Sequence, residues 1–158
     1  MSERLARLPL GDAARAFAER LLARHPAWEP YVSAYEPAVP ADRTPAGSLW
    51  VEVPSPADPE AALWLMLQDG EALVGLGYRA AEATFAWAPD ERDDAYRSIL
   101  ALIDDIVCAE VVGVWTRHRF LWRTWESCEF LRAADVPANA TRISAWPAAP
   151  VDGDIRPS

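Results

Sequence analysis

In `AALWLMLQDGEALVGLGY`, residues 61–78, two apolar runs flank Asp69-Gly70. Both residues of an Asp-Gly pair tolerate positive φ, so the stretch is expected to fold as an antiparallel hairpin through a type I′ turn. The expected strands run over 62–68 and 71–78. `SLWVEVPSP` adds a short strand at 48–53, stopped by Pro54, and `EATFAW` a further one at 82–87.

Helical periodicity brackets these strands. `LPLGDAARAFAERLLARHP` reads as a first helix, capped by Asp12 and ended by Pro26, with Phe17, Leu21 and Leu22 beside Ala14 and Ala18 on one stripe. `PDERDDAYRSILALIDDIVCAE` is the stronger helix. Pro89 and Asp90 suit its start, and Glu91, Asp93 and Asp94 suit its positive end. Ala95, Ile99, Leu102, Ile103 and Ile106 recur at helical spacing, flanked by Tyr96 and Val107. Asp93 and Arg97 form an expected i,i+4 pair. Residues 26–59 hold eight of the 14 prolines. They exclude a long helix there, while Trp28, Tyr31 and Tyr35 are too apolar for a free linker. An ordered strap over the core is expected.

After the long helix, `EVVGVWTRHRFLWRTWES` reads as a second hairpin, `CEFLRAADVPANA` as a loop, and `TRISAW` as a last strand at 141–146. The fold class is α+β: a mostly antiparallel sheet of five to six strands, with one long helix and an N-terminal helix packed on it. Residues 1–147 form one domain, and the tail 148–158 is expected to be disordered.

The chain carries a formal charge of −9. Such a balance argues against nucleic acid as partner and favours a basic one. The start `MSERLARLPLGDAARAF` has no signal-peptide core, and no apolar run is long enough to span a membrane. A cytoplasmic protein is expected, with Cys108 and Cys128 reduced and acting as small buried hydrophobes.

Catalytic signals are absent from the sequence: no Cys-x-x-Cys, His-Glu-x-x-His, Gly-x-Ser-x-Gly or phosphate-cradling loop occurs. His25 sits at a helix end, where an imidazolium is favourable. No metal ligand set, cofactor or catalytic residue is expected. Asp94 and Asp105 lie three helical turns apart on the polar face of the long helix, a solvated face or a docking surface for a basic partner. Trp50 and Glu52 alternate on one face of their strand.

The second hairpin concentrates Trp115, Arg117, His118, Arg119, Arg123 and Trp125. A turn is expected at 117–119, either two residues at His118-Arg119 or three at Arg117–Arg119. In either register Arg123 and Trp125 share one face with Leu121, and Phe120 and Trp122 the other. The apolar set, joined by Val112 and Val114 under the three-residue turn, reads as core. The Arg123–Trp125 face is the candidate partner surface, since Trp and Arg dominate interface hot spots. Cover by the Pro-rich strap is the competing reading.

The order `LWVEVPSP`, `LWLMLQDGEALVGLG`, the helix to `IVCAE`, `VVGVWTRHRF` and `RISAW` resembles small bacterial immunity proteins of polymorphic or contact-dependent toxins, over residues 48–146. The resemblance implies a non-enzymatic protein that neutralises a cognate toxin, its partner a basic toxin domain. Trp115, Arg117, His118, Arg119, Arg123 and Trp125 would be anchors, with Asp94 and Asp105 for steering, in a monomer or homodimer. Two alternatives stand beside it: an acidic secretion-chaperone-like dimer, and a small-molecule-binding protein with a pocket lined by Trp50, Trp64, Trp87 and Glu52.

Overall fold

The computed structural model describes residues 3–35, 47–56, 62–77, 81–120 and 123–146, with the backbone alone for Phe120, Arg123 and Trp125. The fold is α+β. Helices α1 (Glu3–Arg7), α2 (Asp12–Arg24) and α3 (Arg92–Val107) accompany strands β1 (Val32–Ala34), β2 (Leu49–Val53), β3 (Leu63–Gln68), β4 (Glu71–Leu76), β5 (Ala81–Ala86), β6 (Val111–Phe120), β7 (Arg123–Arg132) and β8 (Ala140–Ser144). Strands β1 to β5 form an antiparallel meander, sheet A, and the remaining three a second sheet, sheet B, in the order β7-β6-β8.

Strand alternation sends one set of sheet A side chains to the core. Leu49, Val51 and Val53 of β2, Leu63, Leu65 and Leu67 of β3, and Ala72, Val74 and Leu76 of β4 are all buried. The helices bury the opposite layer: Phe17 and Leu21 from α2, and Tyr96, Ile99, Leu100, Ile103 and Ile106 from α3. The stripe on α3 is rotated slightly from the expected one, leaving Ala95 and Leu102 partly buried at its edges. Tyr96 is the hub. Its ring meets Phe17 edge-on at 5.1 Å and Trp87 at 5.8 Å, and its hydroxyl donates to the Ala13 carbonyl at 2.8 Å.

Salt bridges run between the helices. Arg20 reaches Asp93 at 2.6 Å, Arg24 reaches Asp104, and His25 Nε2 lies 2.9 Å from the other Asp104 oxygen. Arg97 pairs with Asp94 rather than with Asp93, which faces α2 instead. His25 also stacks on Trp28, with centroids 4.3 Å apart. Its place at the end of α2 is therefore used structurally, to join the two helices.

Local departures from the expected elements have identifiable causes. Asp12 is the first helical residue of α2 and Gly11 its cap. The Asp69-Gly70 turn joins β3 to β4 as expected, but only Gly70 has positive φ, at 84°, so the turn is not type I′. Tertiary contacts pin it. Arg92 donates to the Asp69 carboxylate at 3.0 Å, and the Trp87 backbone N–H donates to the Gly70 carbonyl at 3.0 Å. The described part of the strap is ordered: a 3-10 helix over Pro26–Tyr31, with Pro26 at its start, leads into edge strand β1. Residues 36–46 and 57–59 of the strap, and the tail 148–158, lie outside the described residues. The segment expected as a loop after the second hairpin is strand as far as Arg132, followed by a 3-10 turn over Ala133–Asp135.

Cys108 is exposed, against expectation, whereas Cys128 is half-buried. Burial pushes the Cys128 thiol up to about 11. Only the thiolate reacts with disulfide reagents. At pH 8 one thiol, Cys108, is expected to react quickly and Cys128 slowly until the chain is unfolded. A fast phase that survives Cys108→Ser would contradict this. Among the described residues no helix is long and apolar enough to cross a membrane, and no group of three or more His, Cys, Asp or Glu is placed to hold a metal ion.

Candidate functional site

The helices cover one face of sheet A. The other face carries the alternate residues, which the register sorts into rows across the strands. One row reads Glu52, Trp64, Gly75, Glu82, from β2 to β5. The neighbouring row reads Ser33, Trp50, Met66, Leu73, Thr84, from β1 to β5. Apolar side chains at outward positions of a sheet with a polar rim are the pattern of a contact surface.

The rings are arranged in sequence. Tyr35 lies 5.8 Å from Trp50, and Trp50 lies 5.8 Å from Trp64 with the two indoles only 15° from parallel. All three side chains are half-buried. Gly75 positions Trp64. A β-carbon at Gly75 would lie 2.1 Å from Cζ2 of the Trp64 ring, so the indole lies across the sheet over the space this glycine leaves empty. The Trp64 N–H donates to the Gly77 carbonyl at 3.1 Å, which fixes the ring in that place. The Trp50 N–H reaches Glu52 at a long 3.4 Å.

Glu52 and Glu82 are exposed and bracket Trp64 on either side. Neither forms a salt bridge with a described residue. That separates them from the acidic α3 surface, where Asp93, Asp94 and Asp104 all hold arginines. Gly75→Ala is expected to displace Trp64, separate the indole pair and shift tryptophan fluorescence, while circular dichroism still reports a folded chain. Unchanged fluorescence would mean that Gly75 does not hold the ring.

The second hairpin is also a correction. Its register runs through Phe120 paired with Arg123, so residues 117–119 lie within β6 and not in the expected turn. His118 pairs with Trp125 and Val112 with Leu131, which places Arg123, Trp125, His118, Phe120, Val114 and Val112 on one face. The face assigned to a partner and the face assigned to the core are thus the same face. Trp115, Arg117 and Arg119 lie on the opposite one. No Gly, Pro, Asn or Asp occurs between residues 114 and 134 to mark a turn. The polar Arg-His-Arg run drew the expectation, but long-range pairing set the register.

The hairpin side chains that are described are engaged locally. Arg117 donates to Glu126 at 2.9 Å, Arg142 lies over the half-buried Trp115 ring at 5.1 Å, and His118 Nε2 lies 2.6 Å from Ser127 Oγ. The His118–Ser127 pair is exposed on a ribbon that continues past β8, which pairs with β6 only over Gly113–Thr116. The core assignment of Trp122 falls outside the described residues.

Asp94 and Asp105 are both on α3, where Asp94 is exposed and held by Arg97 and Asp105 is half-buried. The pocket expected from Trp50, Trp64, Trp87 and Glu52 does not assemble. Trp50, Trp64 and Glu52 share the outward face, but Trp87 is in the core against Tyr96. Sequence reasoning placed Trp50 with Glu52 correctly. It missed Met66, Leu73 and Glu82, which join them only through the strand register.

No protein-family model, curated protein or solved structure matches this chain.

Proposed function

We propose that this chain is a non-enzymatic binding protein of immunity type, which neutralises a basic toxin domain by seating it on the outward face of sheet A. One observation carries the reading: Tyr35, Trp50 and Trp64 form a continuous aromatic run beside Met66 and Leu73, with the exposed carboxylates of Glu52 and Glu82 at its sides. Trp, Tyr and Met are enriched in interface cores, and a charged rim of one sign selects a partner of the other and speeds its arrival. The chain's charge of −9 acts in the same direction at long range.

The proposed contact surface is therefore sheet A rather than the Arg-bearing hairpin. The hairpin ribbon 116–127 carries Arg117, Arg119 and Arg123 against Glu126, the wrong sign for a basic partner. The site also differs from a small-molecule pocket, because its residues tile a sheet face and Trp87 is not among them. Co-expression with the product of the neighbouring gene tests the proposal. The expected result is a stable complex and protection of the host from that product. Absence of both would refute it.

A further inference from the structure

We propose that the edge of β6 beyond β8 is a second binding surface, which takes an acidic, extended segment of a protein partner as an added antiparallel strand. This surface is on sheet B and is separate from the contact on sheet A. Three observations point to it. First, the ladder on one side of β6 stops short. β7 pairs with β6 from Val111 to Phe120, but β8 pairs with it only over Gly113–Thr116. Arg117–Phe120 therefore have a strand on one side and, among the described residues, none on the other. One hydrogen bond gives the direction of the main chain there. Thr141 of β8 donates through Oγ1 to the Trp115 carbonyl at 3.1 Å, so that carbonyl faces the β8 side. The bulge at this point inserts Thr141 into β8, and the pairing of β6 with β7 is unbroken through Phe120. Main-chain groups alternate sides along a strand. The N–H and C=O of Arg117 and Arg119 thus face the uncovered edge. Such groups are a template for another strand.

Second, the side chains along that edge select a charge. Arg117 and Arg119 are exposed on the same face. Arg117 lies opposite Glu126 and binds it at 2.9 Å, whereas Arg119 lies opposite the uncharged Thr124. Among the described residues Arg119 has no salt bridge. An acidic residue opposite it on an incoming strand completes its row, since opposite charges stabilise facing positions and like charges destabilise them. The overall charge of −9 opposes an acidic segment at long range. At physiological salt that field is screened beyond about 8 Å, so the arginines at the edge set the local sign.

Third, the same charges turn away a second copy of the chain. Antiparallel self-pairing centred anywhere from Arg117 to Arg119 sets Arg117, His118 or Arg119 against one of themselves. The occupant is then specified further. In an antiparallel bonded pair the two opposed residues exchange both hydrogen bonds. Acids opposite Arg117 and Arg119 therefore direct their own N–H and C=O at β6, and the residues between them direct theirs away.

The probe is a short blocked peptide of alternating Glu and Val, read by fluorescence anisotropy on the full chain at physiological salt. It is compared with a form N-methylated at every Glu, a form N-methylated at every Val, and a form with Lys in place of Glu. The parent and the N-methyl-Val form are expected to bind within about twofold of each other, and the N-methyl-Glu and Lys forms at least about tenfold more weakly. Arg119→Glu, first checked for an unchanged melting temperature, is expected to weaken the parent by about tenfold and to improve binding of the Lys form. Trp50→Ala should leave the parent unaffected. Equal binding of the N-methyl-Glu form, equal binding of the Lys form, or no binding of the parent each overturns the inference and leaves the sheet A contact standing. Loss of parent binding in Trp50→Ala places the peptide on sheet A and also overturns it. If the parent binds only after residues 148–158, with Asp152 and Asp154, are removed, the occupant is the chain's own tail and the inference falls.

Discussion

Tyr96→Ala is expected to cost the fold about 3–5 kcal/mol, the usual penalty for truncating a large buried aromatic. For a chain of this length that corresponds to a fall in melting temperature of roughly 10 °C or more. The residue is fully buried, and Phe17 and Trp87 lose their edge contacts with it when the ring goes. The Ala13 carbonyl loses its donor as well. Tyr96→Phe isolates that last contribution, and about 1–2 kcal/mol is expected. A drop in melting temperature of only a degree or two for Tyr96→Ala would show that α2 and α3 do not depend on this contact.

The same residue sets a pH dependence. Burial raises the Tyr96 hydroxyl above its ordinary value of 10.0. The fold thus favours the protonated phenol. This contribution is fully present below pH 10 and is lost as the pH rises through the raised folded-state value. Cys128 acts in the same sense between about pH 9 and 11. Denaturant midpoints are expected to fall above pH 9, with Tyr96→Phe and Cys128→Ser together flattening the decline. A decline unchanged in that double variant would assign it to other groups.

Trp50→Ala is expected to do the reverse of Tyr96→Ala. The side chain is half-buried on the outward face, and its loss leaves the helix-packed core untouched. The melting temperature should move little. Binding of the neighbouring gene product should weaken by roughly 30-fold or more, the effect of removing an interface hot spot worth about 2 kcal/mol or more. Glu52→Gln should act mainly on the association rate and its dependence on salt, as rim charges do.

The contrast between these residues explains what the sequence made legible. Periodicity alone identified α2, α3 and the β3–β4 hairpin, because Phe17, Ile99, Ile103 and the alternating `LWLMLQ` each declare a buried face within a few residues. The α+β class followed from their order. The placement of Glu52 with Trp50 also followed, since strand alternation is local. What was not legible depends on pairing between distant segments. Glu82 reaches Trp64 only through a row that crosses four strands, and Gly75 looks like an incidental glycine until the indole is seen over it. The β6–β7 register failed for the same reason. With no turn residue between 114 and 134, mutual pairing of two ten-residue strands carries residues 117–119 into β6. The tryptophans divide accordingly. Trp28, Trp87 and Trp146 are core, and Trp50 and Trp64 tile the sheet, a division that composition cannot supply.

The central claim is that partner binding resides on the outward face of sheet A. Calorimetry of the neighbouring gene product with Trp50→Ala and with Arg117→Ala, both first checked for an unchanged melting temperature, tests it most directly. The account predicts that Trp50→Ala weakens binding by roughly 30-fold or more while Arg117→Ala leaves it within about twofold. Loss of binding in Arg117→Ala with full binding in Trp50→Ala would contradict it and return the site to the hairpin.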